Sequence, residues 1–227
     1  MKIIYLLPPS EGKNLWWVQV KEKWRFHFPK PFDIAINATQ KDLKCQWKRY
    51  EEGIELNKNI EKSDKLPAIQ RYSGVMYNTI NYEWMEKEWK KYFEDNFLVL
   101  SDIYGMLRPQ DMIGNYKLPI ETKWLYAFWW DKITNTLNNL QADYIVDLLP
   151  GAYAKIIQWK NLNSKIIRVN FLHTKNGELK KISHGVKKIK WEYIHDICEK
   201  GYKKLEDFPG KKVQIWENEY HVNLIFD

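Results

Sequence analysis

The stretch Lys2-Ile3-Ile4-Tyr5-Leu6-Leu7-Pro8-Pro9-Ser10-Glu11-Gly12-Lys13 decides how this chain is read. Ile3 to Leu7 is an unbroken apolar run of strand length, and Pro8-Pro9 closes it, so a buried first strand is expected. The residues that follow supply a hydroxyl (Ser10), a carboxylate (Glu11), a glycine and an ammonium (Lys13). Open α/β sheets hold their ligands in loops at the carboxyl ends of such strands. Gly12 permits close backbone approach, and Lys13 can offset a phosphate or carboxylate charge. The GxxxxGK[ST] pattern of a P-loop is absent. Read alone, the same residues also describe an ordinary exit from a strand.

Two further segments repeat the arrangement. Phe97 to Leu100 is a second short apolar strand running into Ser101-Asp102-Ile103-Tyr104-Gly105-Met106-Leu107-Arg108-Pro109-Gln110-Asp111. Here Ser101 is expected to cap a short helix through Tyr104 to Leu107. Arg108, extended because proline follows it, either clamps an anionic ligand or pairs internally with Asp111. Tyr116 follows as part of the same wall. Tyr144 to Leu148 is the third strand, and Leu149-Pro150-Gly151-Ala152-Tyr153 its loop. Three apolar strands, each delivering a polar loop, suggest one shared cleft at a sheet edge.

Between these strands, Ala38 to Ile60 and Tyr82 to Tyr92 carry roughly helical spacing. Trp124 to Leu140 is the clearest helix, with Leu125, Phe128, Trp129, Ile133 and Leu137 on one stripe. Trp16 to Pro31 has no clean period. Later, Lys165 to Phe171 and Leu179 to Ser183 flank Asn176-Gly177, a strong hairpin signal. A helix is expected from Trp191 to Lys200 with Gly201 behind it. Phe208-Pro209-Gly210 is a turn, and Val213 to Phe226 gives one or two closing strands. The order of elements predicts a mixed α/β (α+β) fold over residues 1–227: a single compact domain with a mixed central sheet surrounded by helices.

The formal charge is +7, from 36 basic and 29 acidic residues. Lys165 to Lys212 alone holds twelve lysines and Arg168 against six acidic residues, a local excess of the same size. A basic segment invites nucleic acid or nucleotide phosphates, or is simply a solvated lysine surface. Twelve tryptophans are unusual, and most are expected in the core. The two cysteines, Cys45 and Cys198, have no CxxC or Cys–His spacing. No paired-histidine metal spacing is legible, and His184 stands alone, so neither a metal nor a cofactor is expected. No apolar run approaches membrane-spanning length, and a soluble cytoplasmic protein is the plain reading.

At the same segments the chain resembles the YaaA family of peroxide-stress proteins (UPF0246). Pro8-Pro9-Ser10-Glu11-Gly12-Lys13 looks like the family's PPSE-x-K loop, and Tyr72-Ser73-Gly74-Val75-Met76-Tyr77 like its Y-x-G-x-x-Y stretch. Ser101 to Asp111 matches S-x-x-Y-G-x-L-R-P-x-D at every named position, and Leu125-Tyr126-Ala127-Phe128-Trp129 matches an L-Y-x-F-W helix. The Tyr153 loop, Lys175-Asn176-Gly177 and Lys187-Lys188 complete an ordered set. The resemblance implies a family-type compact α/β fold with a positively charged cleft, a cytosolic role in peroxide stress, and DNA binding. It also implies a helix-hairpin-helix-like element, whose nearest counterpart is Tyr193–Lys200 with Leu205 to Gly210. The chain departs from the pattern in its shortness, its tryptophan content and its ending from Trp216.

Two functions follow. A DNA-binding protein would set Lys187, Lys188, Lys190, Lys203, Lys204, Lys211 and Lys212 against phosphates, without reading sequence. An enzyme would gather Glu11, Lys13, Arg108 and Lys187 as catalytic candidates, with Ser10, Tyr72, Ser101, Tyr104, Asp111, Tyr116 and Tyr153 around a small anionic ligand. That ligand would be a nucleotide, a nucleobase or a small carboxylate-bearing metabolite. Ser, Glu, Lys, Tyr, Arg and Asp clustered on loops are more site-like than DNA-surface-like.

Overall fold

A computed structural model of the chain describes residues 1–16, 26–175, 177–182 and 185–226, with Lys187 described by its backbone alone. The sequence expectations for Asn176, Ser183, His184 and part of Trp16 to Pro31 therefore lie outside the described residues. The strands are β1 (Ile3–Leu7), β2 (Leu66–Pro67), β3 (Phe97–Ser101), β4 (Gly105–Leu107), β5 (Met112–Ile113), β6 (Tyr144–Asp147), β7 (Lys165–Lys175), β8 (Glu178–Lys181), β9 (Lys211–Trp216) and β10 (Glu219–Phe226). The helices are α1 (Phe32–Ile36), α2 (Lys48–Lys58), α3 (Ala68–Arg71), α4 (Val75–Ile80), α5 (Lys87–Asn96), α6 (Leu125–Asn139), α7 (Gly151–Ala154) and α8 (Val186–Lys200).

All five residues of β1 are buried, because the strand is paired on both edges. It runs parallel to β3, with Tyr5 opposite Phe97, and parallel to β6, with Ile3 opposite Tyr144. A strand covered on both faces has no reason to alternate, which is why its sequence is continuously apolar. The main sheet has the order β4-β3-β1-β6-β7-β10-β9, with β8 on the outer half of β7. β3, β1, β6, β7 and β10 are parallel, while β4, β8 and β9 are antiparallel to their neighbours. This is the mixed α/β sheet the sequence predicted. After β1 the chain moves to one side, to β3; after β6 it moves to the other, to β7. The crevice between β1 and β6 is thus a topological switch point, where doubly wound sheets hold ligands.

Ser101 does accept a bond from the Tyr104 N–H at 3.3 Å, but the segment after it is a tight hairpin and not a helix. Gly105 takes φ +79° and pairs with Ser101, turning the chain back as β4. The turn is fixed from above by α6. Leu125, Trp129, Ile133 and Leu137 of that helix are fully buried at four-residue intervals, and Phe128 sits beside the stripe, half-buried. Trp129 Nε1 donates to the main-chain oxygen of Asp102 at 2.7 Å, so the helix is anchored to the β3–β4 turn.

Other elements shift from their sequence reading. The helical spacing of Ala38 to Ile60 is realised only in α2, and left-handed backbone at Lys44 and Trp47 precedes it. Tyr82 to Tyr92 breaks at Met85 into a 3₁₀ turn and then α5. α8 starts at Val186, five residues before Trp191, and ends before Gly201 as expected. Phe208-Pro209-Gly210 leads into β9, which pairs antiparallel with β10. A helix-hairpin-helix needs a second helix at that point, so the element implied by the family resemblance is not formed. The tryptophans also divide differently. Trp129 and Trp191 are buried, whereas Trp16, Trp47, Trp84, Trp124, Trp130 and Trp216 are exposed. Two indole rings serve cations: Lys123 lies 5.1 Å from the exposed Trp124, and Arg168 lies 4.5 Å from the half-buried Trp159.

A Cβ at Gly105 would stand 2.8 Å from Trp129 and 2.9 Å from Phe28 while forcing a side chain onto left-handed backbone. Gly105→Ala is therefore expected to cost about 2–4 kcal/mol, the sum of backbone strain and overpacking. Urea unfolding monitored by tryptophan fluorescence measures it, and a cost under about 0.5 kcal/mol would show that the turn relaxes freely.

Candidate functional site

The loops after β1, β3 and β6 meet over a cavity of about 230 Å³. Ser10, Glu11 and Lys13 come from the first loop, Asp102 from the second and Tyr153 from the third, with Lys117 closing the far wall. The expected convergence of three strand-end loops is what the fold builds.

The first loop is held rigidly. Lys13 forms an isolated antiparallel bridge with Tyr72, and the Ser73 N–H donates to the Gly12 carbonyl at 2.9 Å. A Cβ on Gly12 would meet Ser73 Oγ at 2.9 Å, so a larger residue there would require the Ser73 hydroxyl to move. The Ser10 hydroxyl donates to the Ser73 carbonyl, and the Tyr77 hydroxyl donates to the Pro8 carbonyl at 2.8 Å. Behind the loop, the buried Arg71 guanidinium donates to the carbonyls of Asn14 and Asp64. Ser10 is thereby committed to the scaffold.

Asp102 is the most deeply placed acid of the pocket, at 4% exposure. Its Oδ1 accepts from Tyr153 Oη at 2.8 Å and its Oδ2 from Tyr116 Oη at 3.2 Å. Tyr116 also shares hydrogen bonds of 2.9 Å with Ser101 Oγ and with Tyr72 Oη. Burial pushes the Asp102 carboxyl up to about 6, although the Tyr153 hydroxyl and the nearby Lys13 both favour its charged form. Burial raises Tyr72, Tyr116 and Tyr153 too, so at neutral pH all three stay protonated, and Tyr116 and Tyr153 donate to the carboxylate. Lys13 Nζ lies 4.1 Å from the Tyr116 ring centre and 3.3 Å from the carbonyls of Ser10 and Glu11. Burial pulls it down to about 8, opposed by the charges of Asp102 and Glu11. At the rim, Glu11 pairs with Lys117 at 3.0 Å, which holds its carboxyl below the usual range.

Ser10, Glu11, Lys13, Tyr72, Ser101, Tyr116 and Tyr153 are thus brought together around one network, and three residues expected with them are not. Arg108 turns away: its Nη1 donates to the Asp95 carbonyl at 2.6 Å, at the end of α5. Asp111 accepts from the Arg108 main-chain N–H at 2.7 Å, so it braces the same turn. Tyr104 receives the Gly114 N–H at 2.9 Å and lines a separate cavity with Phe26, Phe28 and Phe32. The Lys187 side chain lies outside the described residues. Lys190 reaches the Leu148 carbonyl at 3.3 Å and faces another cavity, shared with Asp147 and Arg168. Lys188 is exposed beside Glu192, and Lys203, Lys204, Lys211 and Lys212 are exposed beyond the other end of α8. A helix of 15 residues, about 22 Å long, lies between Lys188 and Lys190 at its start and Lys203 and Lys204 after its end.

The sequence reading passed over Asp102. One signal was present: it is the first ionisable residue after a buried parallel strand, where ligand-facing side chains emerge. Lys117, with Lys44 and Glu121 at the rim, gave no such signal, because loops remote in sequence carry them.

The sequence profile of the family described as "Peroxide stress protein YaaA" matches residues 3–221. A UPF0246 protein of Francisella philomiragia is 28% identical over 177 residues, which cover 74% of this chain and 69% of that protein. One from Finegoldia magna is 34% identical over 139 residues, 60% of this chain and 55% of its own length. The UPF0246 protein RC0754 of Rickettsia conorii is 29% identical over 149 residues, 62% of this chain and 60% of its own. The chain thus spans between about half and two thirds of the length of these relatives.

Asp102 also makes stability depend on pH. A carboxyl held above its ordinary value protects the fold while protonated, and that contribution is lost as pH rises through about 6. Replacing it with Asn removes the titration. The stability of Asp102→Asn relative to the wild type is expected to improve by about 2–3 kcal/mol between pH 4 and pH 8, from a shift of about two units. Parallel urea titrations at the two pH values give the difference, and equal differences at both would show that Asp102 is not held high.

Proposed function

We propose that this chain, which belongs to the YaaA family of peroxide stress proteins, binds a small carboxylate-bearing metabolite at Lys13 and Asp102 and moves a proton on it. The observation that carries this reading is the convergence of Lys13, Asp102 and Tyr153 from separate loops on one cavity, where burial draws the lysine down to about 8 and the carboxyl up to about 6. Titratable groups pushed toward neutrality in a cleft mark functional sites. A base near pH 6 combines adequate basicity with the deprotonated form at neutral pH.

In this reading Asp102 is the base. Its two oxygens are steadied by Tyr153 and Tyr116 and keep lone pairs for a ligand proton. Lys13 holds the ligand's carboxylate and offsets negative charge that develops as the proton leaves, a preorganised electrostatic contribution. Tyr153, half-buried on the pocket wall, passes a hydrogen bond between ligand and base. Tyr72, Tyr116 and Ser101 orient the network from behind. The protein would act in the cytoplasm, in the response to peroxide.

A second reading has its own support. Lys203, Lys204, Lys211 and Lys212 are all exposed on the segment after α8, and they suit contacts to DNA phosphates without base readout. None of these lysines lines the pocket, so the two activities would be separable.

Two measurements divide the readings. Binding or turnover of carboxylates should follow a bell with its plateau between about pH 6 and pH 8, where Asp102 and Lys13 are both charged. Lys13→Met and Asp102→Asn should each lower it at least a hundredfold; unchanged binding in both variants would remove the pocket from the function. Duplex DNA titrated across salt should show a log–log slope of about −0.9 per neutralised phosphate. Replacing Lys203, Lys204, Lys211 and Lys212 together by Ala should flatten that slope by about three to four units, with pocket binding kept. A slope unaltered by the fourfold variant would end the DNA reading at this surface.

A further inference from the structure

We propose that the ligand of this pocket is a free neutral α-amino acid, bound as a zwitterion. The inference rests on reading the Lys13–Asp102 cavity as a ligand site, and it names the class of molecule that the site takes. The cavity is lined by three lysines (Lys13, Lys44 and Lys117) and three carboxylates (Glu11, Asp102 and Glu121). Its walls are therefore electrically balanced, although the chain as a whole is strongly basic. A nucleotide or other polyanion would gain from the lysines and be repelled by three carboxylates. A molecule carrying one cation and one anion a few ångströms apart meets complementary charge at both ends.

The charges are also arranged by depth. At the rim, Lys117 pairs with Glu11 at 3.0 Å, and Lys44 pairs with Glu121 at 3.0 Å. Glu11, Glu121 and Lys44 are substantially exposed there. Such exposed pairs contribute no more than about 1 kcal/mol, so they can exchange partners with an incoming zwitterion at little cost. At the floor, the buried Asp102 accepts from Tyr153 and Tyr116, and the partly buried Lys13 donates to the carbonyls of Ser10 and Glu11, so the two opposite charges line the cavity without being paired to each other. A ligand that brings a cation to Asp102 and an anion to Lys13 meets both charges at once. The ammonium of the amino acid would lie with Asp102 and Tyr153, and its carboxylate with Lys13 and Lys117.

Size and polarity narrow the class further. A volume of about 230 Å³ falls below the ~300–1,000 Å³ usual for drug-sized ligands, and suits a single amino acid better than a nucleotide. The uncharged part of the lining includes Pro9, Leu118 and Pro119, an apolar strip for a short aliphatic side chain.

Isothermal titration of the full chain at pH 7 tests this with four probes: L-leucine, N-acetyl-L-leucine, L-leucinamide and ATP. L-leucine is expected to bind at least tenfold more tightly than N-acetyl-L-leucine, which lacks the ammonium, and than L-leucinamide, which lacks the carboxylate. ATP is expected to bind no better than either. Asp102→Asn should erase the preference for leucine over its N-acetyl form, and Lys13→Met the preference over its amide. N-acetyl-L-leucine binding as tightly as L-leucine would overturn the zwitterion assignment while leaving a plain carboxylate site in place. Failure of all the carboxylates to bind, in a chain whose urea titrations confirm the raised Asp102, would overturn both the assignment and the reading it rests on.

Discussion

A hydrogen bond of 2.7 Å, from the indole of Trp129 to the main-chain oxygen of Asp102, holds the structure and its pocket together. At one end of it lies α6, whose buried stripe covers the β3–β4 hairpin. At the other lies a turn that leaves the sheet only because Gly105 adopts left-handed backbone directly beneath the indole. The bond is made by the backbone of Asp102, which frees its carboxylate to point at the pocket. There the two hydroxyls of Tyr153 and Tyr116 fix its plane. A side chain whose main chain and both oxygens are specified has little rotamer entropy left to lose on binding, which is what preorganisation requires.

That arrangement carries an energetic cost. A carboxylate and an ammonium buried together are each shifted toward their neutral forms, and burying an ion pair seldom repays its desolvation. The protein meets the cost with a large apolar framework. β1 is fully buried between two parallel neighbours, and Tyr5 stacks on Phe97, with ring centres 4.5 Å apart. Phe97 in turn stacks on Phe93 of α5 at the same separation. Two opposite charges kept at such a cost, in the crevice where the sheet reverses its winding order, are what the proposed ligand site would require.

The buried frame was plain in the sequence wherever a physical signal is local. Ile3 to Leu7, Phe97 to Leu100 and Tyr144 to Leu148 read as strands because burial on both faces makes such segments largely apolar. α6 read as a helix because its large residues recur at the helical period. The signal failed where tertiary context decides. Ser101 to Leu107 has a good capping residue and helix-compatible composition, yet Trp129 and Phe28 packed over Gly105 enforce a hairpin. Arg108 looked like a clamp for a ligand because a guanidinium before proline is well placed for one. The open carbonyls at the end of α5, a feature of every helix terminus, capture it instead. Glu11, Lys13, Tyr116 and Tyr153 were legible as site residues because they sit on strand-end loops. Asp102 was obscured by its neighbours in the same motif, and Lys44, Lys117 and Glu121 reach the site only through folding.

The distribution of charge separates two roles that composition alone would merge. A net charge of +7 suggests a protein that is basic throughout and ready to meet an anion anywhere. The fold places the excess at the two ends of α8 and along β9, while the pocket is built from equal numbers of lysines and carboxylates. Long-range attraction of polyanions belongs to that outer surface and weakens over a Debye length of about 8 Å at physiological salt. Selection inside the cavity depends on short-range pairing, which solvent screens far less. A basic exterior therefore places no requirement on the charge of the ligand within. Under the proposed reading, the balance of charge in the lining, with equal numbers of lysines and carboxylates, governs what enters the cavity.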